Sequence, residues 1–211
     1  MSKLYSYVVR YDSGFAPNPF YGFCSLATCK PDIRRTASVG NWVVGSGSKS
    51  VGRGGFLVYA MRVTEILTFE EFNNDPRFEA KKPFRQGSRR QSCGDNIYYH
   101  DVDGISRLQR DSFHSRDDGS VNYDHLNKDT KTDRVLISND FVYFGGQGPK
   151  IPENLKSGGS TTVIHSGIGY STFTDQQLIK AFEEWLASLR VEGYQGVPYE
   201  WISIRQQTNR R

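Results

Sequence analysis

Apolar residues along this 211-residue chain come in short runs, and the runs predict strands far more often than helices. Leu4 to Tyr11 reads as a first strand. Asp12 to Tyr21, broken by Gly14, Pro17 and Pro19, reads as a loop, and Gly22 to Cys29 as a second strand. Pro31 to Ala37 fits a single helical turn, because proline is tolerated at a helix start. Asn41 to Gly45 and Gly55 to Leu67 are the next strands, joined by a Gly/Ser/Lys loop, Gly45-Ser46-Gly47-Ser48-Lys49. Thr68 caps a short helix with Glu71 in the capping-box position, and Asp75-Pro76 ends it.

From Arg77 to about Asp133 the periodicity fades, which predicts an insertion (77–133) that packs its own turns. Arg134 to Ser138 and Phe141 to Phe144 read as strands of a hairpin around Asn139-Asp140. Gly145 to Gly159 reads as loop and Thr161 to Ile164 as a short strand. The clearest helix is Asp175 to Val191, where Leu178, Ile179, Phe182, Trp185, Leu186 and Leu189 share one face. Thr174 and Gln177 suit a capping box, and Gly193 a left-handed end. The length fits one domain, 1–211, with residues 153–211 as a C-terminal extension. The fold class is α+β.

Charge changes this picture locally. The net charge is only +4, but Arg77, Lys81, Lys82, Arg85, Arg89 and Arg90 face a single Glu79 in one segment. Arg205, Arg210 and Arg211 add to the C-terminus. Such a strip neutralises phosphates, or is simply a solvated loop. Cys24, Cys29 and Cys93 form no C-x-x-C pair, which argues against a disulfide framework or a cysteine zinc site. There is no leader pattern and no apolar run of membrane-spanning length. A cytoplasmic protein without a membrane partner is expected.

Several segments resemble the nucleotide-modification-associated domain 2 family of phages and bacteria. They are Tyr5–Val9, Gly14–Phe20, Leu26–Pro31 with Ile33-Arg34, Val58–Thr64, Gly94–Tyr98, Asp111–Ser115, Arg134–Ser138 and Phe141–Gly146. The run Gly40-Asn41-Trp42-Val43-Val44, its loop and the strand to Thr64-Glu65 also resemble the PUA-like superfold of EVE, ASCH and YTH domains. That resemblance implies a small mixed, partly closed β-sheet or barrel that binds nucleic acid, often at a modified base. It implies a ligand cleft near Trp42, Ser46, Gly47, Ser48 and Lys49, with Asn41 standing where aspartate is frequent.

Two functional readings follow. The first is a non-catalytic domain that recognises a modified nucleotide or base in a DNA-modification or defence context, with no cofactor. Trp42, Tyr98 or Phe113 would stack on the base, Ser46, Ser48 and Lys49 would read its edge, and Arg34, Arg35 and the Arg77–Arg90 strip would hold phosphates, with Lys30 in the same positive element as Arg34 and Arg35. Asn96 and His114 complete the expected ligand set. The alternative is a metal-assisted enzyme of nucleotide metabolism or base modification. It draws on the segment with Asp95, His100, Asp101, Asp103, Asp111, His114, Asp117, Asp118, His125 and Asp129, with His114 and Asp101 as catalytic candidates. A solvated, turn-capping role for these acids is the bland reading. P-loop, H-E-x-x-H, G-x-S-x-G and zinc-deaminase signatures are absent.

Overall fold

The computed structural model describes residues 2–159 and 161–202. Arg205, Arg210 and Arg211 of the expected basic C-terminus lie outside them. The chain forms two compact units. One comprises Met1–Ser13, Ser38–Thr64 and Ser138–Arg211, the other Gly14–Ala37 and Glu65–Ile137. The stretch read as an insertion falls wholly in the second unit, and the C-terminal extension in the first.

In chain order the strands are β1 (Leu4–Val9), β2 (Cys24–Leu26), β3 (Trp42–Gly47), β4 (Leu57–Arg62), β5 (Glu65–Leu67), β6 (Tyr98–His100) and β7 (Arg107–Gln109). They continue with β8 (Val135–Ser138), β9 (Asp140–Tyr143), β10 (Lys156–Ser157), β11 (Thr161–Thr162), β12 (Ser171–Phe173) and β13 (Gly193–Tyr194). The α-helices are α1 (Pro31–Thr36), α2 (Phe69–Asn74), α3 (Arg89–Ser92), α4 (Tyr123–Asp129) and α5 (Gln176–Ser188).

The first unit is built on a six-stranded mixed sheet in the order β12-β1-β3-β4-β9-β13. β1 runs parallel to β3, from Leu4 opposite Trp42 to Val9 opposite Gly47. The sheet is open, with β12 and β13 as edges, so the barrel closure expected from the sequence is not among its pairings. Leu178, Ile179 and Phe182 of α5 pack against Leu4, Trp42, Val44, Ala60 and Val142 of the sheet. The apolar stripe read from the sequence is therefore core. The helix cap differs from expectation. Asp175, not Thr174, accepts from the Gln177 and Leu178 amides, and aspartate is the stronger N-cap. Past the end, Arg190 (φ 54°) is left-handed, and so is Gly193 (φ 69°), as the sequence led one to expect, where β13 begins.

Gly45 to Gly47, read as loop, are the last residues of β3. A Cβ at Gly45 would run into the Tyr59 ring and Val9, and one at Gly47 into Arg53. The glycines are there for close packing rather than for a turn.

The second unit holds the three-stranded sheet β2-β8-β5, the hairpin β6-β7 and helices α1 to α4. Phe15, Phe69, Phe72, Phe78, Ile97, Tyr98, Leu126, Val135 and Ile137 form its core. The Thr68–Glu71 capping box is present at α2. The hairpin expected around Asn139-Asp140 does not form. β8 pairs with β5 and β9 with β4, so the two strands leave for different sheets. Ser138 Oγ fixes the bend through the Arg62 and Asp140 carbonyls.

Gly45→Ala is expected to destabilise the protein by roughly 1–3 kcal/mol, the cost of overpacking a filled core. Chemical denaturation measures it. A loop glycine would give a change near zero.

Candidate functional site

In the first unit, the carboxyl ends of the parallel neighbours β1 and β3 open onto a crevice of about 380 Å³. Outside the carboxyl ends of parallel strands is where α/β sheets commonly hold ligands. The chain leaving β1 contributes Arg10, Tyr11 and Asp12, and the chain leaving β3 contributes Ser48, Ser50 and Arg53. Tyr199 and Glu200 complete the wall.

Asp12 is buried at this crevice. Tyr143 donates its hydroxyl to Asp12 Oδ1, and the Tyr199 amide donates to Oδ2 at 2.8 Å. Burial pushes its carboxyl up to about 6, against the pull of these two donors. Burial likewise raises Glu200. Arg53 is braced by the Gly148 carbonyl at 2.9 Å and lies 4.0 Å over the Phe56 ring. Arg10 stands over the ring of exposed Tyr11 at 5.2 Å. Neither arginine forms an ion pair among the described residues.

The second unit gathers a different set. Between β2 and α1 the chain turns sharply, with Cys29 at φ 59° and Lys30 at φ 42°. Two successive non-glycine residues in the left-handed region carry strain of about 1–3 kcal/mol each. The turn is held from both sides. Cys29 N–H donates to Asp129 Oδ1 at 2.9 Å. Arg34, fully buried, donates to the carbonyls of Cys29, Asp129, Thr132 and Arg134.

His114 sits beside this turn. Its Nδ1 lies 2.8 Å from Asp129 Oδ2, which also accepts from the Tyr98 hydroxyl at 2.9 Å. A carboxylate only accepts, so Nδ1 carries a proton and Nε2 faces Cys29 Sγ at 3.7 Å. The His125 ring stacks on His114 with centroids 4.1 Å apart. Burial pulls the His114 imidazole down, but Asp129 and Cys29 outweigh it and push it up to about 9. Burial acts upward on Asp129, and hydrogen bonding from His114 holds it below the usual range.

The residues expected from sequence are thus divided. Lys30, Arg34, Tyr98, His114 and, beside it, Phe113 surround the Cys29–Asp129 set. Phe113 is half-exposed beneath the Arg85 guanidinium at 4.6 Å. Ser48 lines the crevice, and Lys49 is exposed on the turn that follows. Four of the set are spent on the fold. The Trp42 indole donates to Glu183 at 2.8 Å and packs on Phe182. Asn96 is fully buried, and its amide donates to the Phe72 and Phe78 carbonyls. Ser46 is fully buried inside β3, and Arg34 is the four-carbonyl brace described above. Arg35 is exposed and paired with Asp32.

Asp101 and Asp103 cap their own hairpin turn, accepting from Val102, Ile105 and Ser106 amides. Among the described residues, no group of three or more His, Cys, Asp or Glu side chains is placed to hold a metal ion. The basic strip is also dispersed. Arg77 pairs with Glu65 and Asp75, Lys82 with Glu79, and Lys81 is fully buried against the Asn18 and Phe23 carbonyls. Asp12, Arg10, Arg53 and Cys29 were not singled out as site residues from sequence, because nothing in their spacing joins them; Asp129 was named there only among the acids of the Asp/His segment.

The protein is thus a mixed α+β chain with a parallel-strand crevice and a set in which a partly accessible thiol meets a buried imidazole and carboxylate. It belongs to the nucleotide modification associated domain 2 family, which it matches over residues 1–205. That membership ties it to nucleotide modification and so to a nucleotide or nucleic acid. No curated protein and no solved structure matches the chain significantly. No helix among the described residues is long and apolar enough to cross a membrane.

The folded chain keeps the Asp12 proton to about pH 6, whereas the ordinary carboxyl releases it near 3.8. Unfolding therefore releases a proton in that window, and stability falls as pH rises through it. Asp12→Asn is expected to remove this loss and gain roughly 2–3 kcal/mol at pH 8 relative to pH 4. Denaturation at the two pH values measures it; an equal effect at both would contradict the buried-acid account.

Proposed function

We propose that the protein is a nucleotide-binding component of a DNA- or nucleotide-modification system, and that the first unit's crevice holds the nucleotide. The observation that carries this reading is the pair of arginines, Arg10 and Arg53, that face the crevice without an acidic partner among the described residues. Guanidinium forks match phosphate oxygens, and of the Ser48 and Ser50 hydroxyls, which hydrogen-bond to each other at 2.8 Å, one keeps its proton to donate. Asp12 and Glu200 supply acceptors for the N–H edge of a base. Exposed Tyr11 supplies a ring for stacking. The volume lies within the range of small-ligand sites. Ser48 is the member of the sequence-derived ligand set that this reading retains.

Isothermal titration with nucleoside monophosphates and the matching nucleosides tests it. Monophosphates are expected to bind more tightly than nucleosides, with affinity falling as salt rises. Arg10→Ala should weaken monophosphate binding by about 1.5–3 kcal/mol, the value of a charged hydrogen bond. Tyr11→Ala should cost roughly 1–3 kcal/mol with nucleosides too. Equal affinity in wild type and Arg10→Ala, or no binding of any nucleotide, would overturn the reading.

A further inference from the structure

The second unit carries chemistry that the nucleotide-binding reading does not use and on which it does not depend. Cys29 Sγ, His114 and Asp129 stand in the order nucleophile, base, orienting acid, at 3.7 Å and 2.8 Å. We propose that they form a covalent catalytic centre for acyl transfer from an amide or ester. Cys29 is the nucleophile, His114 its general base and acid, and Asp129 the positioning residue. On this proposal the protein is more than the non-catalytic binder its sequence suggested.

Three independent features support it. The first is local backbone. Cys29 sits on a strained strand–turn–helix corner between β2 and α1, the arrangement that presents a nucleophile in hydrolases built on an elbow. The segment Thr28-Cys29-Lys30-Pro31 lacks the glycines that usually relieve such a corner. The strain is instead held by Asp129 on the Cys29 amide and by Arg34 on the Cys29 carbonyl.

The second is the orientation of the imidazole. A His–Asp pair serving only as a strut needs no partner at the other ring nitrogen. Here Nε2 meets the one cysteine that is partly accessible, whereas Cys24 and Cys93 are buried. Partly exposed thiols beside a cation are the reactive ones.

The third is the support around Asp129. Its carboxylate takes the Cys29 amide, His114 Nδ1–H and the Tyr98 hydroxyl, which leaves it ionised and immobile. His125 and Phe15 close on the His114 ring from two other directions. The imidazole is thereby fixed in one orientation, as an acid–base group shared by nucleophile and leaving group must be.

The reaction balances with these groups alone. The Cys29 sulfur, its proton held on His114 Nε2, adds to the acyl carbon, and a C–S bond forms as the carbonyl becomes an oxyanion. Collapse breaks the bond to the leaving amine or alcohol, which takes the Nε2 proton. The resulting thioester is attacked by water or an acceptor amine, whose proton returns to Nε2. Collapse then releases the Cys29 thiolate and the transferred acyl product.

The full chain treated with p-nitrophenyl acetate tests this. A burst of p-nitrophenolate stoichiometric with protein is expected, with the acetyl group mapped by mass spectrometry to Cys29 and not to Cys24 or Cys93. Acylation of Cys29 should outpace that of a free small thiol at the same pH. Cys29→Ser should abolish the burst. His114→Gln should slow acylation by about a hundredfold, the usual scale of acid–base assistance. Asp129→Asn should lower the acylation rate constant without changing the ester concentration at half-saturation. Matching melting curves establish that the variants fold. Wild-type Cys29 reacting no faster than the free thiol would overturn the proposal without reference to any variant. So would a folded His114→Gln that reacts at the wild-type rate.

Discussion

One buried guanidinium organises the second unit. Arg34 has no exposed surface, and it donates to the carbonyls that end the Cys29 turn, finish α4 and lead into β8. A charge so deep is costly unless every donor is engaged. Here the engagement is with main chain from two separate stretches, the Cys29 turn and residues 129–134, so the cation sets backbone positions rather than a surface property. Cys29 and Asp129 lie on the two stretches it joins, and they are 100 residues apart in sequence. The proximity of thiol and carboxylate follows from that clamp, supplemented by the Phe69 ring 5.5 Å from the guanidinium, and the carboxylate in turn holds the imidazole at 2.8 Å.

The first unit rests on a different constraint, the parallel pairing of β1 with β3. It sends two chains out of the sheet at the same end, and both carry arginine and polar residues past the last paired position. Gly45 and Gly47 let β3 lie against Tyr59, Val9 and Arg53 at that end. The crevice is thus a product of strand direction and small residues, and its buried acid, Asp12, is held by a tyrosine hydroxyl and an amide rather than by a cation.

Local signals were legible in the sequence where the physics is local. The Thr68–Glu71 capping box, the α5 stripe and the strands β1, β2 and β4 follow from spacing and propensity. Errors arise where a tertiary choice overrides a local pattern. Asn139-Asp140 looks like a hairpin turn, but β8 and β9 find partners in different sheets. Gly45-Ser46-Gly47 looks like a loop, but close packing wants glycine inside a strand.

The candidate sites were legible only in part, for the same reason. His114 was singled out, and the two segments Leu26–Pro31 and Asp111–Ser115 that carry the family resemblance supply Cys29 and His114. No spacing rule links residues 29, 114 and 129, so the relation between them needed coordinates. The basic strip misled because charge in sequence says nothing of pairing: Arg77 and Lys82 meet acids, and Lys81 is buried.

The most direct measurement is the NMR titration of the His114 imidazole in the wild-type protein. Asp129 on one nitrogen and Cys29 on the other are predicted to keep it protonated to about pH 9. The Nδ1 proton should remain hydrogen-bonded throughout. A histidine that titrates near its ordinary value of about 6.5, with a freely exchanging Nδ1 proton, would contradict the coupled thiol–imidazole–carboxylate arrangement on which the account depends.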